Sequence, residues 1–242
     1  MKKISIVFPL YNEEKRLNNL FKGIKNFSRS KIDEPLEFIF VDDGSTDNTA
    51  EKISKFINKF KMNKHKYKLI KIKNNRGKGN ALKLGVKKAS YNWIFTTDAD
   101  LSVDLYQTAK WFKKYTFKDN YAYFGSRNHP QSKLKFRYHR KIIGYIFQFF
   151  VFLFIDKNIS DTQCGFKLYN KKYAKDIFTK LRTSGYAHDI ELIYLLKLKK
   201  IKIVELPLKW IHMDGGKVNI FTDSIKMMID MILIKLRYSF KK

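Results

Sequence analysis

Leu36-Glu37-Phe38-Ile39-Phe40-Val41-Asp42-Asp43-Gly44-Ser45-Thr46-Asp47 and, further on, Trp93-Ile94-Phe95-Thr96-Thr97-Asp98-Ala99-Asp100 decide the fold. Each is a short apolar run that reads as a buried strand and ends on carboxylates. A parallel sheet gathers such tips at the carboxyl edge of its strands, where open α/β proteins bind ligands. Carboxylates collected there suit a hydroxyl-rich nucleotide and the hard divalent ion that accompanies its diphosphate.

Working outward, Ile4 to Phe8 is a β-rich run stopped by Pro9. Leu17, Leu20, Phe21, Ile24 and Phe27 recur at helical spacing after it. The strand ending at Val41 leads into a helix with Ile53, Phe56, Ile57 and Phe60 on one face, and Ser45 or Thr46 is the expected N-cap. Tyr67 to Ile72 is the third strand, Gly77 to Lys88 a loop and helix, and Trp93 to Thr97 the fourth strand. This alternation predicts a mostly parallel sheet flanked by helices, built from right-handed βαβ units. Near residue 125 the pattern changes. A basic loop (Lys133, Lys135, Arg137, His139, Arg140, Lys141) leads into an aromatic-rich helix, Ile142 to Ile155. Then come a loop at Ser160-Asp161, a strand Gly165 to Tyr169, helices near 171–181 and 188–199, an extended run Ile201 to Ile211, and a helix Asp223 to Phe240.

With 242 residues and 44% apolar content, the chain buries a sizeable core. Its net charge of +28 favours a polyanion: nucleic acid, an anionic membrane or a phosphorylated substrate. Helix-turn-helix, ribonucleoprotein and zinc patterns are all missing, so no nucleic acid is expected. Cys164 is the single cysteine, which excludes a disulfide framework and fits a cytoplasmic setting. Ile142 to Ile155 carries Gln148 and falls short of the ~20 residues of a spanning helix. The N-terminus reads as a strand with no signal peptide. A basic segment entering Phe, Tyr and Leu, repeated in kind by the amphipathic C-terminal helix, is the make-up of an interfacial element, so peripheral contact with an anionic membrane is expected.

The motifs have bland readings as well. Pro9-Leu10-Tyr11-Asn12-Glu13-Glu14 is a loop and helix start, or else a place where Tyr11 flanks a base and Glu13 accepts from nucleotide hydroxyls or amides. Capping accounts for Ser45 or Thr46, with Asp47 a further candidate, but leaves Asp42 and Asp43 without a structural task. Asn75-Arg76-Gly77-Lys78-Gly79 opens onto a helix and lets backbone approach a phosphate, although it lacks the spacing of a P-loop. Asp98-Ala99-Asp100 presents two carboxylates able to hold Mg²⁺ or Mn²⁺, the substrate's phosphates completing the shell. Beyond them, Asp161 is placed to orient or deprotonate an acceptor, and Arg127 and Lys167 to hold an anion. Asp189 sits near a helix start, where capping is the ordinary reading, and binding by Asp189 or Glu191 is the lesser one.

Taken together, F-P-L-Y-N-E, V-D-D-G-S-T-D, N-R-G-K-G-N-A and D-A-D resemble the inverting family 2 glycosyltransferases of the GT-A fold. T-T-D-A-D-L-S, G-S-R, D-T-Q-C-G-F-K-L-Y and the late W-x-H-x-x-G-G-K-V resemble the branch that glucosylates dolichyl or other polyprenyl phosphates. The likeness runs from Ile4 to about Tyr238. It implies an α/β GT-A domain over 1–218, with a nucleotide-sugar half to about 126 and an acceptor half over 127–218, then an amphipathic membrane-interface helix over 219–242. It implies a UDP-sugar held by Pro9, Tyr11, Glu13, Asp42, Asp43, Lys78, Asp98, Ala99 and Asp100, with Asp98 and Asp100 on the metal and Asp100 the more direct ligand. Arg127, Arg137, Lys167 and Lys217 would face the acceptor phosphate, and Asp161 and Asp100 would be catalytic. The expected reaction carries glucose from the UDP-sugar to a polyprenyl (dolichyl-type) phosphate with inversion, on the cytoplasmic face of a membrane. Alternatives are another sugar, such as mannose from GDP-mannose, or a cell-surface glycan as acceptor. Gly185-Tyr186-Ala187-His188-Asp189 departs from the branch's aromatic-rich pattern, and Gly216 stands where Ser is common.

Overall fold

The computed structural model describes residues 2–29, 34–60, 64–135, 159–213 and 220–239. The expected aromatic helix at 142–155, Arg137 and Lys217 lie outside them. In chain order the elements are β1 (Ile4–Leu10), α1 (Leu17–Arg29), β2 (Leu36–Asp42), α2 (Thr49–Phe60), β3 (Lys66–Lys71) and α3 (Lys78–Lys88). Then come β4 (Trp93–Thr96), α4 (Tyr106–Lys114), β5 (Tyr121–Ser126), β6 (Lys133–Lys135) and β7 (Lys167–Asn170). The last are α5 (Lys171–Lys180), α6 (His188–Leu198), β8 (Lys202–Pro207), β9 (Lys209–Ile211) and α7 (Ile220–Ser239). Helix α4 is an addition to the sequence reading.

Seven strands form one sheet in the order β3-β2-β1-β4-β7-β5-β8. β1, β2, β3 and β4 are parallel, as the βαβ alternation predicts, while β7 runs antiparallel between β4 and β5. A short parallel pair, β6 with β9, stands apart. The two-residue period of a strand explains the layers. Phe38 and Phe40 of β2 point into the core under α1, α2 and α4, with Leu20, Ile24, Phe56 and Trp111. Ile39 and Val41 point to the other face, with Ala81 and Val86 of α3, Ile177 of α5 and Ile193 of α6. Burial on both faces is why β2 reads as an apolar run from Phe38 to Val41. Phe38→Ala is a large-to-small change in this core and is expected to cost about 3–5 kcal/mol.

At the amino edge, Glu37 has no exposed surface and ties three strands together. It accepts from Ser5 Oγ at 2.5 Å, Ser90 N at 2.8 Å and Lys68 Nζ at 2.7 Å. A wider depression of about 780 Å³ also opens at that end, lined by residues such as Lys2, Tyr91, Trp93 and Lys172. The opposite, carboxyl end is where the acidic tips emerge.

Candidate active site

The loop after β1 and the loop after β2 are latched to one another. Ser45 Oγ accepts from Asn12 N and Asn12 Oδ1 from Thr46 N, both at 2.8 Å. Thr49 Oγ1 accepts from Glu13 N at 2.8 Å, and Asp47 Oδ2 from Glu14 N at 3.1 Å. Ser45 and Thr46 are therefore not the caps expected for α2. Asp47 takes that task, its Oδ1 accepting from Thr49 N at 3.0 Å.

Asp43 also has a structural task, contrary to the sequence reading. Its two oxygens accept from Arg76 N at 3.0 Å and Gly77 N at 2.7 Å, which pins the basic loop onto the β2 tip. Burial still raises the Asp43 pKa above its ordinary value, against those two N–H groups. Asp42 differs. It is buried, and its Oδ1 has no hydrogen-bond partner among the described residues.

Gly77 adopts φ +92°, and a Cβ there would overlap the Ser184 carbonyl. The turn aims Lys78, at the start of α3, back toward β4, where its Nζ lies 2.5 Å from Asp98 Oδ1. Burial works against the ammonium, but Asp98, Asp189 and Asp100 hold its pKa above the ordinary value. On the far side, Asp98 lies against the backbone of Gly165, where a Cβ would come within 2.5 Å of a carboxylate oxygen. Asp100 Oδ1 accepts from Ser102 N at 2.9 Å, and the intervening Leu101 is held at φ +54°. A bulky residue in the left-handed region is strained, a cost of about 1–3 kcal/mol that clusters at functional sites.

These pieces enclose a cleft of about 460 Å³. Pro9, Tyr11, Glu13, Asp43, Lys78, Asp98, Ala99 and Asp100 all line it, so eight of the nine expected donor residues meet in one place, and Asp42 lies buried beside Asp43. Arg16, Asn75, Gly185 and Tyr186 line it too and were not among the expected residues. Asn75 and Gly77 lie within a motif already singled out, whereas nothing local marks Arg16 or Tyr186 as wall residues. As a divalent-ion site the fit is partial but chemically sound: Asp98 and Asp100 are hard oxygen donors in the cleft, with room for phosphate oxygens to complete the shell. No cluster of three or more metal-binding side chains occurs among the described residues, so phosphate oxygens and water would have to supply the rest.

Beside this cleft, Arg127, Gln163 and Asp98 border a narrower space of about 40 Å³. Arg127 forks onto buried Asp161, Nε to Oδ2 at 2.7 Å and Nη2 to Oδ1 at 2.8 Å, and its backbone N also donates to Oδ2. Burial alone would raise the Asp161 pKa; Arg127, through charge and hydrogen bonds, holds it below the ordinary carboxylate value. Such a carboxylate is a weak proton acceptor and a firm support for Arg127. Lys167 corrects the sequence reading. It is 1% exposed, its Nζ donates to Thr162 O at 2.9 Å and pairs with Asp189, and it does not reach an acceptor. Asp189 does not cap α6; it is Lys167's counter-ion. Cys164 is buried, its thiol pushed up to about 12 by that burial, and is a packing residue.

Residues 5–178 match the Glycosyl transferase family 2 model. The chain belongs to glycosyltransferase family 2. Within family 2 it is 34% identical to dolichyl-phosphate beta-glucosyltransferase of Saccharomyces cerevisiae, over 97% of this chain and 75% of that protein. It is also 34% identical to the human protein of the same name, over 98% of this chain and 76% of that one. Among solved structures, M. tuberculosis glucosyl-3-phosphoglycerate synthase in complex with Mg²⁺ and UDP superposes with a TM-score of 0.67. The match covers 97% of this chain and 79% of that one at 17% identity, a likeness of fold. The family assignment agrees with the GT-A architecture expected from the motifs, including the mostly parallel sheet with its acidic carboxyl edge.

Proposed function

We propose that this enzyme transfers glucose from UDP-glucose to a polyprenyl phosphate of the dolichyl type, giving a β-linked lipid phosphosugar by a single inverting displacement. The observation that carries the reading is the cleft at the carboxyl edge, where Asp98, Asp100 and Lys78 converge with the unsatisfied Asp42 behind them, in a chain whose relatives are named for this reaction.

In the donor cleft, Tyr11 and Pro9 flank the base, and Glu13 and Asp42 accept from its N–H or hydroxyl groups. Asp100, and less directly Asp98, would hold Mg²⁺ or Mn²⁺, and such an ion would supply positive charge to neutralise the departing diphosphate. Lys78 adds a fixed positive charge beside the same phosphates. The acceptor phosphate has its second pKa near 6 and reaches the site as a dianion at neutral pH, so its oxygen attacks without a strong general base. That matches Asp161, whose role is to hold Arg127 toward the acceptor phosphate, screening two anions that meet at one carbon.

No helix among the described residues is long and apolar enough to cross a membrane. The outer face of α7 nevertheless exposes Ile229, Ile232, Leu233 and Leu236, each between 47% and 54%. This stripe, with cationic residues at Lys226 and Lys235, supports peripheral seating on an anionic bilayer that carries the lipid acceptor, the cytoplasmic face being the proposed side.

The test is transfer of label from UDP-glucose, other UDP-sugars and GDP-mannose to a short polyprenyl phosphate in the organic phase, with Mg²⁺ or Mn²⁺. Label from UDP-glucose alone, absent in Asp100→Ala, is expected. Label from GDP-mannose in preference would overturn the donor, and nucleotide binding without lipid transfer would overturn the acceptor.

A further inference from the structure

Glu191 lies on the first turn of α6, and its side chain has no exposed surface. Both of its oxygens are fully engaged, and in opposite directions. Oε2 accepts from the backbone N–H groups of Arg182 at 2.9 Å and Thr183 at 2.6 Å. Oε1 accepts from Tyr238 OH at 2.7 Å and Arg237 Nη1 at 2.8 Å, both in the last turns of α7. These bonds hold the carboxylate ionised against its burial.

The segment held by Oε2 is the back of the donor cleft. Ser184 O accepts from Gly79 N at 2.8 Å, and the glycines at 77 and 79 leave room for the Ser184 and Thr183 carbonyls, a Cβ on Gly79 falling 2.6 Å from Thr183 O. Lys78, between those glycines, is the residue paired with Asp98. The next two residues, Gly185 and Tyr186, form part of the cleft wall itself. An unbroken run of short contacts therefore joins the end of α7 to the lysine and the wall that receive the donor. Helix α7 does not rely on Glu191 to dock, because Met231, Ile234 and Tyr238 already bury apolar surface against α6.

We propose that Glu191 is a positioning residue that couples the seating of α7 to donor binding, by holding the 182–186 segment against the Gly77–Gly79 loop. This rests on the reading of the cleft as the nucleotide-sugar site. Because α7 also carries the exposed apolar stripe, engagement of that helix by a lipid surface and binding of the nucleotide would favour one another. The reciprocity is thermodynamic: what α7 does for the donor, the donor does for α7.

The experiment uses the full chain, UDP and Mg²⁺. Binding of UDP is measured by calorimetry for wild type and for Arg237→Gln combined with Tyr238→Phe, neither of which touches the cleft, together with their thermal midpoints. Backbone hydrogen exchange of wild type is followed with and without UDP. The double variant is expected to bind UDP about tenfold more weakly while remaining folded, within the usual range of coupling between sites. KM for the donor is expected to rise more than kcat falls. In wild type, UDP is expected to slow exchange both at 182–186 and in the last turns of α7. A folded double variant that binds UDP within twofold of wild type overturns the coupling. If that variant does not fold, the wild-type exchange decides, and unchanged exchange over 234–239 overturns it. A wild-type chain that binds no UDP overturns the donor reading, a separate result from binding that ignores the variants.

Discussion

Two lysine–aspartate pairs sit behind the same sheet edge and have different fates. Lys78 with Asp98 faces the cleft, the side chains 23% and 41% exposed. Lys167 with Asp189 is sealed, at 1% and 6%. The first pair can exchange partners when an anion or a cation arrives, since water reaches both groups. The second cannot, because separating it would leave a charge in an apolar interior. Residue type is the same in both, so access, and not chemistry alone, divides binding groups from structural ones.

The sharpest way to break this contrast is to remove each lysine in turn. Lys167→Met strands Asp189 and is expected to cost about 3–5 kcal/mol in denaturant unfolding. Adding Asp189→Leu to it is expected to restore most of that loss, because an apolar pair of similar volume is often neutral in such a place. Lys78→Met should change stability by less than about 1 kcal/mol, as for a solvent-accessible pair. Its effect belongs in the donor KM, read from initial rates. If Lys78→Met unfolds the protein while Lys167→Met does not, the contrast is wrong.

Asp100→Ala comes next. Loss of the residue proposed as the more direct metal ligand is expected to lower kcat/KM by about a hundredfold or more, several kcal/mol of transition-state stabilisation, with the circular dichroism unchanged. Gly77→Ala is smaller. Its left-handed φ and the Ser184 carbonyl oppose a side chain, so about 1–3 kcal/mol of strain is expected, visible as weaker UDP binding.

The smallest effect is expected from pH. Asp161, Asp189 and Glu191 all have folded pKa values below their unfolded ones, held there against burial by Arg127 for Asp161, by His188 and Lys167 for Asp189, and by N–H and O–H donors for Glu191. A carboxylate with a depressed folded pKa contributes stability that is complete above its unfolded pKa and lost as pH falls toward the folded one. The thermal midpoint should therefore fall modestly below about pH 6.5, where unfolded histidines charge while burial lowers the folded pKa of His65 and His188, and steeply below about 4, where unfolded Asp and Glu take up protons. A midpoint level down to pH 5 would mean that the two histidines contribute nothing to the pH dependence.

Much of the first 126 residues was legible because the signals there are local. Strands β1, β2 and β4 are largely apolar runs that end at Leu10, one residue beyond the expected stop at Pro9, at Asp42 and just before Asp98-Ala99-Asp100, and parallel pairing carries those ends to one edge. The later part of the chain was less legible. Lys167 follows Phe166 in a motif that offers no hint of inward orientation, and only the antiparallel insertion of β7 beside β4 turns it toward Asp189. Glu191 looked like an ordinary acidic residue in a first helical turn. Its partners lie 8 and 9 residues back and 46 and 47 residues ahead, distances no periodicity spans.

By itself, then, the sequence determined the strand–helix alternation, the acidic tips and the glycine-rich basic loop, since each depends on residues within a turn or a strand of one another. Tertiary structure alone decided which of these charges meet water and which meet each other. It placed Arg16 and Tyr186 on the cleft wall, made Asp161 a support for Arg127, and set Glu191 between the last helix and the backbone of Arg182 and Thr183. The physical reason is that a charge's role depends on its desolvation and its partners, and both are properties of the packed chain.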